Sequence, residues 1–397
     1  MIGVGEAVVP GARRHHAVLV MGGGPAGSSA ACTLASLGVD VGLIDKAAFP
    51  RAKLCGGLLS MRSRKLFARI FGDAAWDQAH EYECAGIRLF HRDRCLSDVD
   101  GHAPLYFTNR YHFDDYLLSL ARAKGSAMYL GDGVVSIDLS RRLCKLQSGG
   151  EISFDYLIGA DGVNSLVART LFGASYDRRK IAFALEMEVD RALLTREVHR
   201  PEVYFGIVNW GYGWVFPKRD TVTVGVGGIQ ARNPHMKRDF EDFLRSLFGT
   251  MPPGKIKGHH LPFGDYKREP GRDRVLLAGD AAGLVEPITG EGIAFAMQSG
   301  HEAALAVQEA LHANGQVRVL PLYQQRSREI TRALDHANRM RYLVFPRFCE
   351  RLFVRMLPSS TITHMHLDLM ADEIAYEDYA QRLGKRLLKR VVSGRFS

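Results

Sequence analysis

The sequence predicts an α/β protein in which a doubly wound, Rossmann-like nucleotide-binding domain is interrupted by an antiparallel β-sheet and followed by a helical C-terminal part. Three observations carry that expectation. The stretch "HAVLVMGGGPAGSSAACTLASLGVDVGLIDK" passes from an apolar strand through glycines into a small-residue helix and back to a second strand, a βαβ unit. After residue 175, "IAFALEMEVD" and "EVYFGIVNWGYGWVFPKRDTVTVGVGGI" are aromatic and β-branched with glycine or charged breaks, the pattern of antiparallel strands. "RVLLAGDAAGLVEPITGEGIAFAMQSGHEAALAVQEAL" then returns to strand, loop and long helix. This order predicts a discontinuous nucleotide-binding domain over 16–175 and 270–315, and an antiparallel-sheet substrate domain over 176–269 to which part of 60–110 contributes. Residues 316–397 read as a helical region and 1–15 as a flexible tail.

In the first βαβ unit, Gly22, Gly24 and Gly27 form G-x-G-x-x-G around Pro25 and Ala26. The first glycine permits a tight turn, the second lets a pyrophosphate approach the backbone, and the third allows close helix packing. The helix that follows turns unpaired N–H groups and its positive dipole end toward the phosphates. Asp45 ends the second strand, 23 positions after Gly22 and just before Lys46, where a carboxylate accepts from an adenosine ribose. "RAKLCGGLLS" then sets Cys55 directly before Gly56 and Gly57, with Arg51 and Lys53 upstream. "TNRYHFDDYLLSLARAKG" is an amphipathic helix preceded by Arg110, and "AMYLGDGVVSIDL", "CKLQSG" and "ISFDYLIGADGVNSLVAR" are short strands. Asp280 follows a buried-looking strand, so its carboxylate reads either as a ligand group at a strand's carboxyl end or as a turn cap. "TGEGIAF" opens a helix at Ile293, with N-terminal amides around Gly290 and Gly292.

Composition excludes several classes. The 397 residues are 46% hydrophobic, enough for a large core. Six cysteines at 32, 55, 84, 95, 144 and 349 show no paired spacing, so neither a metal site nor a disulfide framework is expected and a reducing cytosol fits. No stretch reaches the roughly 18 uninterrupted apolar residues of a spanning helix, which leaves a cytoplasmic protein or one in peripheral contact with the inner face of a membrane. The net charge of +9 suits an anionic membrane surface, an anionic cofactor or a polyanion. Nucleic acid is not expected, because the basic residues are spread through the chain without a helix-turn-helix, zinc-finger or RNP-like pattern. "RYLVFPRFCERLFVRMLPSS" and "LGKRLLKRVVSGRF" are amphipathic stretches that either lie on a bilayer or dock on the protein with their charges solvated.

"MGGGPAG", "FDYLIGADGVNSLVAR" and "RVLLAGDAAGLVEPITGEGI" occur in the order and spacing of a flavoprotein fold. The chain thus resembles the p-hydroxybenzoate hydroxylase-like fold shared by aromatic hydroxylases, flavin halogenases and geranylgeranyl reductases, and the resemblance implies bound FAD. It implies that Asp161 and Gly162 match the family's Asp-Gly motif and that Gly279 and Asp280 match its Gly-Asp motif, whose aspartate contacts the ribityl chain. Arg110 stands where the family often has an arginine near the pyrophosphate. "KLCGG" and "GYGWVFPK" further resemble the Cys-Gly-Gly loop and Y-x-W-x-F-P motif of geranylgeranyl reductases. Halogenases carry W-x-W-x-I-P, against Tyr212 and Phe216 here. The resemblance runs over about residues 16–300 and fades beyond.

Such reductases saturate isolated double bonds of polyprenyl chains, so the resemblance implies a hydrophobic substrate. Tyr212, Trp214 and Phe216 would either line a slot for the chain and support developing positive charge, or form one packed face of a strand. Cys55 would either place a proton-donating or redox-tuning thiol beside the flavin ring, or serve as a compact neighbour in a tight turn. No second dinucleotide fingerprint is found, since "GVGGIQ" sits in a strand context. NAD(P)H would therefore bind transiently, or a protein donor would supply electrons. A monooxygenase or oxidase acting on a small aromatic or secondary metabolite, and a non-catalytic FAD-binding scaffold at a membrane, are the alternatives on the same fold.

Overall fold

A computed structural model describes residues 13–313, 316–346, 354–355 and 360–392. Its first sheet is built around the predicted βαβ unit. Strand β1 (Arg13–Met21) lies between β2 (Val41–Asp45) and β9 (Glu151–Gly159), with β6 (Ala127–Leu130) outside β2 and β16 (Val275–Leu277) outside β9, all parallel. Val18, Leu19 and Val20 are fully buried, because helices cover both faces of such a sheet and alternation disappears. Helix α1 (Pro25–Ser36) and helix α6 (Ile293–His312) pack backbone to backbone: a Cβ at Gly300 would lie 2.0 Å from the Ala26 carbonyl oxygen. The small residues of α1 permit this approach.

The second sheet has eight strands among the described residues, in the order β14 (Lys257–Leu261), β10 (Ala182–Asp190), β13 (Thr221–Ile229), β12 (Gly211–Pro217), β11 (Glu202–Phe205), β4 (Tyr82–His91), β5 (Arg94–Phe107) and β3 (Leu58–Leu59). One face is apolar. Leu185, Met187 and Val189 of β10 join Val215, Val222, Val224 and Val226 beneath Phe240, Phe243 and Leu244 of helix α5 (Met236–Phe248), each large side chain contributing about 1.5–3 kcal/mol by burial. The alternate residues of the same strands face the other way, toward the first sheet and the C-terminal helices.

Two expectations are corrected. Residues 13–15 are not a tail, since Arg13, Arg14 and His15 pair with Glu151, Ile152 and Ser153; residues 1–12 lie outside the described residues. The second sheet draws on 58–107 as well as 176–269, and it is not purely antiparallel as expected. Strands β3, β4 and β5 come from 58–107, and β11 runs parallel to β4. That pairing joins segments more than a hundred residues apart, which local periodicity does not report.

The C-terminal part is helical as expected, with α7 (Val319–Arg326), α8 (Arg328–Val344), α9 (Ser360–Met370) and α10 (Tyr376–Val392). Leu367 and Met370 of α9 pack on Ile87, Leu89 and Leu105 of the second sheet, while Tyr376, Tyr379 and Leu383 of α10 pack on Ala337 and Met340 of α8. The described part of the basic C-terminal stretch is thus anchored on the protein through Leu383. Much of "RYLVFPRFCERLFVRMLPSS" falls outside the described residues. Among the described residues, no helix is long and apolar enough to cross a membrane.

Candidate active site

The carboxyl ends of the parallel strands, the inner face of the second sheet and the C-terminal helices enclose a continuous cavity of about 1000 Å³. Its first part is an anion cradle. Gly22 holds a φ of +109°, and a Cβ there would meet the Ala160 carbonyl oxygen at 2.3 Å. A Cβ at Gly27 would meet the Gly22 carbonyl oxygen at 1.8 Å, so this glycine closes the turn from behind and does not line the cavity. Gly24 is different. Its open side meets only Arg51 Nη2 at 3.8 Å and Arg110 Nη2 at 4.0 Å, and it caps α1 without any side-chain acceptor. The uncapped start of α1 therefore lies beside two guanidinium groups.

Those two arginines are held by one carboxylate. Arg110, the first residue of α3 (Arg110–Ala123), donates through Nε and Nη2 to Asp114 at 2.5 and 2.7 Å, and Arg51 Nη2 lies 3.1 Å from the same group. Asp114 is fully buried. Arg51 Nη1 is buried without a hydrogen-bond partner among the described residues, a costly state for a cation unless an anion completes it. A dinucleotide pyrophosphate meets these requirements: compact negative charge at a helix N-terminus beside an unsatisfied guanidinium.

The remaining cofactor-side residues surround this cradle. Asp45 accepts from Gly23 N at 2.7 Å and Ala47 N at 2.8 Å, which fixes the turn and still leaves acceptor capacity for a ribose; Lys46 lines the wall next to it. Asp161 chiefly caps a helix, taking Ser165 Oγ at 2.5 Å and Leu166 N at 2.6 Å at the start of α4 (Leu166–Phe172). Gly162 and Asp280 also line the cavity. Gly279 does not: at φ +58° it packs against Ala26 and Ala296, while its amide donates to Ser299 Oγ at 2.9 Å. At the far end, Gly290, Gly292 and Ile293 bring the uncapped N-terminus of α6 to the wall, where its amides can stabilise negative charge on a flavin ring.

The register of the second sheet forms the opposite wall. Tyr212, Trp214 and Phe216 alternate along β12 and line the cavity together. Through β13 they align with Gly227, Gly225 and Thr223, and through β10 with Ala184, Glu186 and Glu188. The middle row is thus Trp214, Gly225, Glu186. A Cβ at Gly225 would fall 2.3 Å from Trp214 Cζ2 and one at Gly227 3.4 Å from its Cζ3, so the indole lies flat over the two glycines. The Tyr212 hydroxyl donates to the Thr289 carbonyl oxygen, tying the aromatic strand to the α6 entrance.

The Cys-Gly-Gly loop closes over this wall. A Cβ at Gly56 would sit 2.6 Å from Phe216 Cδ2, and one at Gly57, with φ +78°, would sit 2.0 Å from the Thr108 carbonyl oxygen. Both positions exclude a side chain. Cys55 N donates to Glu186 Oε1 at 2.9 Å, and the Cys55 sulfur accepts from Gly57 N at 3.4 Å. Glu186 is only 7% exposed, its Oε2 has no partner among the described residues, and burial pushes its carboxyl up to about 7. Burial also lowers Lys53, and lowers His259 to about 4, so that imidazole is neutral at physiological pH. Beyond the aromatic strip, Met340, Val344, Ile362, Leu369 and Leu383 line a largely apolar arm, with Thr363, His366, Tyr376 and Tyr379 among them. This arm is roofed by the C-terminal helices, which Arg62 pins: it donates to Glu291 at 2.8 Å and to the Leu369 carbonyl at 2.8 Å.

Comparison with known proteins agrees with this geometry. A family model described as an FAD binding domain matches residues 15–203 and 260–337. The chain is 30% identical to a menaquinone reductase of Mycobacterium tuberculosis over 91% of its own length and 92% of the relative's. It is also 30% identical to a chloroplastic geranylgeranyl diphosphate reductase of rice, over 97% of this chain and 84% of that one. The chain belongs to the geranylgeranyl reductase family of FAD-dependent oxidoreductases. A geranylgeranyl bacteriochlorophyll reductase-like structure from Thermoplasma acidophilum shares the fold at a TM-score of 0.73 and 23% identity, covering 92% of this chain and 94% of that one. A flavin-dependent brominase shares it at 0.72 and 17%, covering 94% and 100%. The similarity to the menaquinone reductase spans 91% of the chain, so it does not fade at residue 300 as the motifs alone suggested.

Cys55, Tyr212, Trp214 and Phe216 meet in one cavity with Gly22, Gly24, Pro25, Ala26, Asp45, Lys46, Arg51, Gly56, Gly57, Arg110, Asp161, Gly162, Asp280, Gly290, Gly292 and Ile293. Sequence reasoning missed Glu186, Gly225 and the Arg62–Glu291 pair. In "ALEMEVD" the alternation of Glu186 and Glu188 with Leu185, Met187 and Val189 looks like any half-solvated strand. The signal for Gly225 was present in "VGVGG", but its meaning depends on which strand lies alongside.

Proposed function

We propose that this protein reduces isolated C=C bonds of a polyprenyl, geranylgeranyl-type or similarly hydrophobic chain. The supporting observation is the apolar arm that continues from the flavin-side wall past Tyr212, Trp214 and Phe216 and under Met340, Ile362 and Leu369. FAD fits the cradle described above, held at its pyrophosphate by the α1 amides, Arg51 and Arg110 and at its ring by the Gly290–Ile293 segment. When bound and reduced, it supplies the hydride.

The chain's own residues do the rest. Trp214, flat over Gly225, offers its ring face to positive charge developing on the alkene, an effect of about 1–2 kcal/mol in a desolvated site. Arg62 and Glu291 keep the roof closed and water out of the apolar arm. Cys55 shapes the loop: its amide is committed to Glu186 and its sulfur to Gly57. Electrons arrive from transiently bound NAD(P)H or from a protein donor. The protein works in the cytoplasm, in peripheral contact with the membrane that holds its lipid substrate.

Anaerobic reduction of the purified yellow protein, followed by a geranylgeranyl lipid, tests this reading. Reoxidation of the flavin with a product heavier by two hydrogens supports it, together with loss of that reaction in Trp214→Ala while FAD is retained. Reoxidation by oxygen alone, with peroxide or a hydroxylated product, overturns it in favour of an oxidase or monooxygenase.

A further inference from the structure

We propose that Glu186 is the proton donor of the reduction, delivering its proton from Oε2 to the alkene carbon that does not take the hydride. The inference rests on the alkene-reductase reading of the site. An isolated alkene has no heteroatom to polarise, so hydride addition requires a proton at the neighbouring carbon, and that proton needs a carrier inside the dry part of the cavity. Glu186 meets each structural requirement. It lines the cavity, it is 7% exposed, and it stands in register with Trp214 across Gly225, where no side chain separates the two. Its Oε1 is occupied by Cys55 N at 2.9 Å, while Oε2 has no partner among the described residues. A buried carboxylate oxygen without a donor costs more than a buried carboxylic acid that carries its proton there.

Burial keeps it in that form against the pull of the lysines around it. Lys218, at 3% exposed, is engaged by Glu188 at 3.1 Å, two residues along the same strand, and Glu188 also takes Thr221 and Thr223 hydroxyls. Lys257 pairs in register with Glu186 on β14 but is exposed, and His259 on the same strand is neutral. Cys55 meets it from the loop through its backbone N–H. With the lysines engaged or solvated, burial prevails, and the carboxyl titrates at about 7, matched to work near neutral pH.

The step balances. The hydride brings two electrons to one carbon and leaves the cofactor oxidised. The π pair forms the new C–H bond at the other carbon as the Glu186 O–H bond breaks and leaves its pair on oxygen. Two C–H bonds replace the π bond, and the Glu186 carboxylate takes its next proton from solvent.

Glu186→Gln tests the proposal, because the amide keeps an acceptor for Cys55 N but carries no acidic proton. Single-turnover reoxidation of the reduced holoenzyme by a geranylgeranyl lipid at pH 7 is expected to fall about 100-fold or more with lipid affinity unchanged, and to lose its decline above about pH 7. Glu186→Asp is expected to recover part of the rate. Infrared titration of the oxidised holoenzyme without lipid gives an independent readout: a protonated-carboxyl C=O band fading with a midpoint near 7, present in wild type and missing in E186Q. A wild type without that band, or an E186Q enzyme with the wild-type rate and pH profile, overturns the donor role alone. A wild-type flavin that no prenyl lipid reoxidises overturns the reductase reading and the donor role with it.

Discussion

Replacing Glu186 by Gln changes the pH dependence of stability in a way the structure sets. The folded carboxyl titrates at about 7 against an ordinary value of 4.5, with burial as the leading cause. Between those two pH values the unfolded chain has released the proton and the folded chain still holds it, so stability falls as pH rises through this window. At about 1.4 kcal/mol per pH unit, the loss saturates near 3 kcal/mol above pH 7. Gln has no proton to release and keeps the acceptor for Cys55 N. The two proteins are therefore expected to be about equally stable near pH 4.5, with the variant about 3 kcal/mol more stable at pH 8. With an unfolding entropy of about 2.1 cal/mol/K per residue over 397 residues, that is a Tm difference of about 4 °C. Calorimetry of both holoenzymes from pH 5 to pH 8 measures it. A Tm difference that does not widen with pH, or a wild type that gains on the variant at pH 8, refutes the claim that a neutral carboxyl is buried beside Trp214.

Three further outcomes are expected. Gly225→Ala drives a methyl into the indole of Trp214, 2.3 Å from the ideal Cβ position; it should cost about 1–3 kcal/mol and shift tryptophan fluorescence, and unchanged emission and Tm would remove the stacking argument. Arg51→Ala should weaken FAD binding about 10- to 100-fold by equilibrium dialysis, the worth of one charge-assisted hydrogen bond of about 1.5–3 kcal/mol. Retention of wild-type affinity would mean that Arg51 Nη1 meets no phosphate. Cys55→Ser keeps an acceptor for Gly57 N, and its lipid-driven flavin reoxidation should stay within about 10-fold of wild type, whereas a loss comparable to about 100-fold would return the proton to the thiol.

Much of the cofactor half was legible because its constraints are local. Gly22, Gly24 and Gly27 serve one turn, and the pattern strand, glycines, helix, strand names its own geometry. Asp45 was found by its place at a strand end, although its first task is to hold Gly23 N and Ala47 N. Asp161 was assigned to a cofactor motif and in the fold caps a helix, two roles that a sequence motif does not separate. The aromatic strip was legible by its two-residue period, and packing does not keep it from the cavity, since Trp214 is 8% exposed and still lines it.

The sequence by itself determined the α/β class, the dinucleotide turn, the Cys-Gly-Gly loop and the aromatic strand, because each is written within a few residues of its own geometry. Only the tertiary structure decided that β11 runs parallel to β4 in the second sheet, that α9 and α10 roof the cavity through Arg62, and that Glu186 stands in register with Trp214 across Gly225. Those facts depend on strand register and on contacts between distant segments. A glutamate in an alternating strand reads the same whether its face meets water or a closed cavity, and that difference alone separates an ordinary surface carboxylate from a buried one whose pKa burial raises.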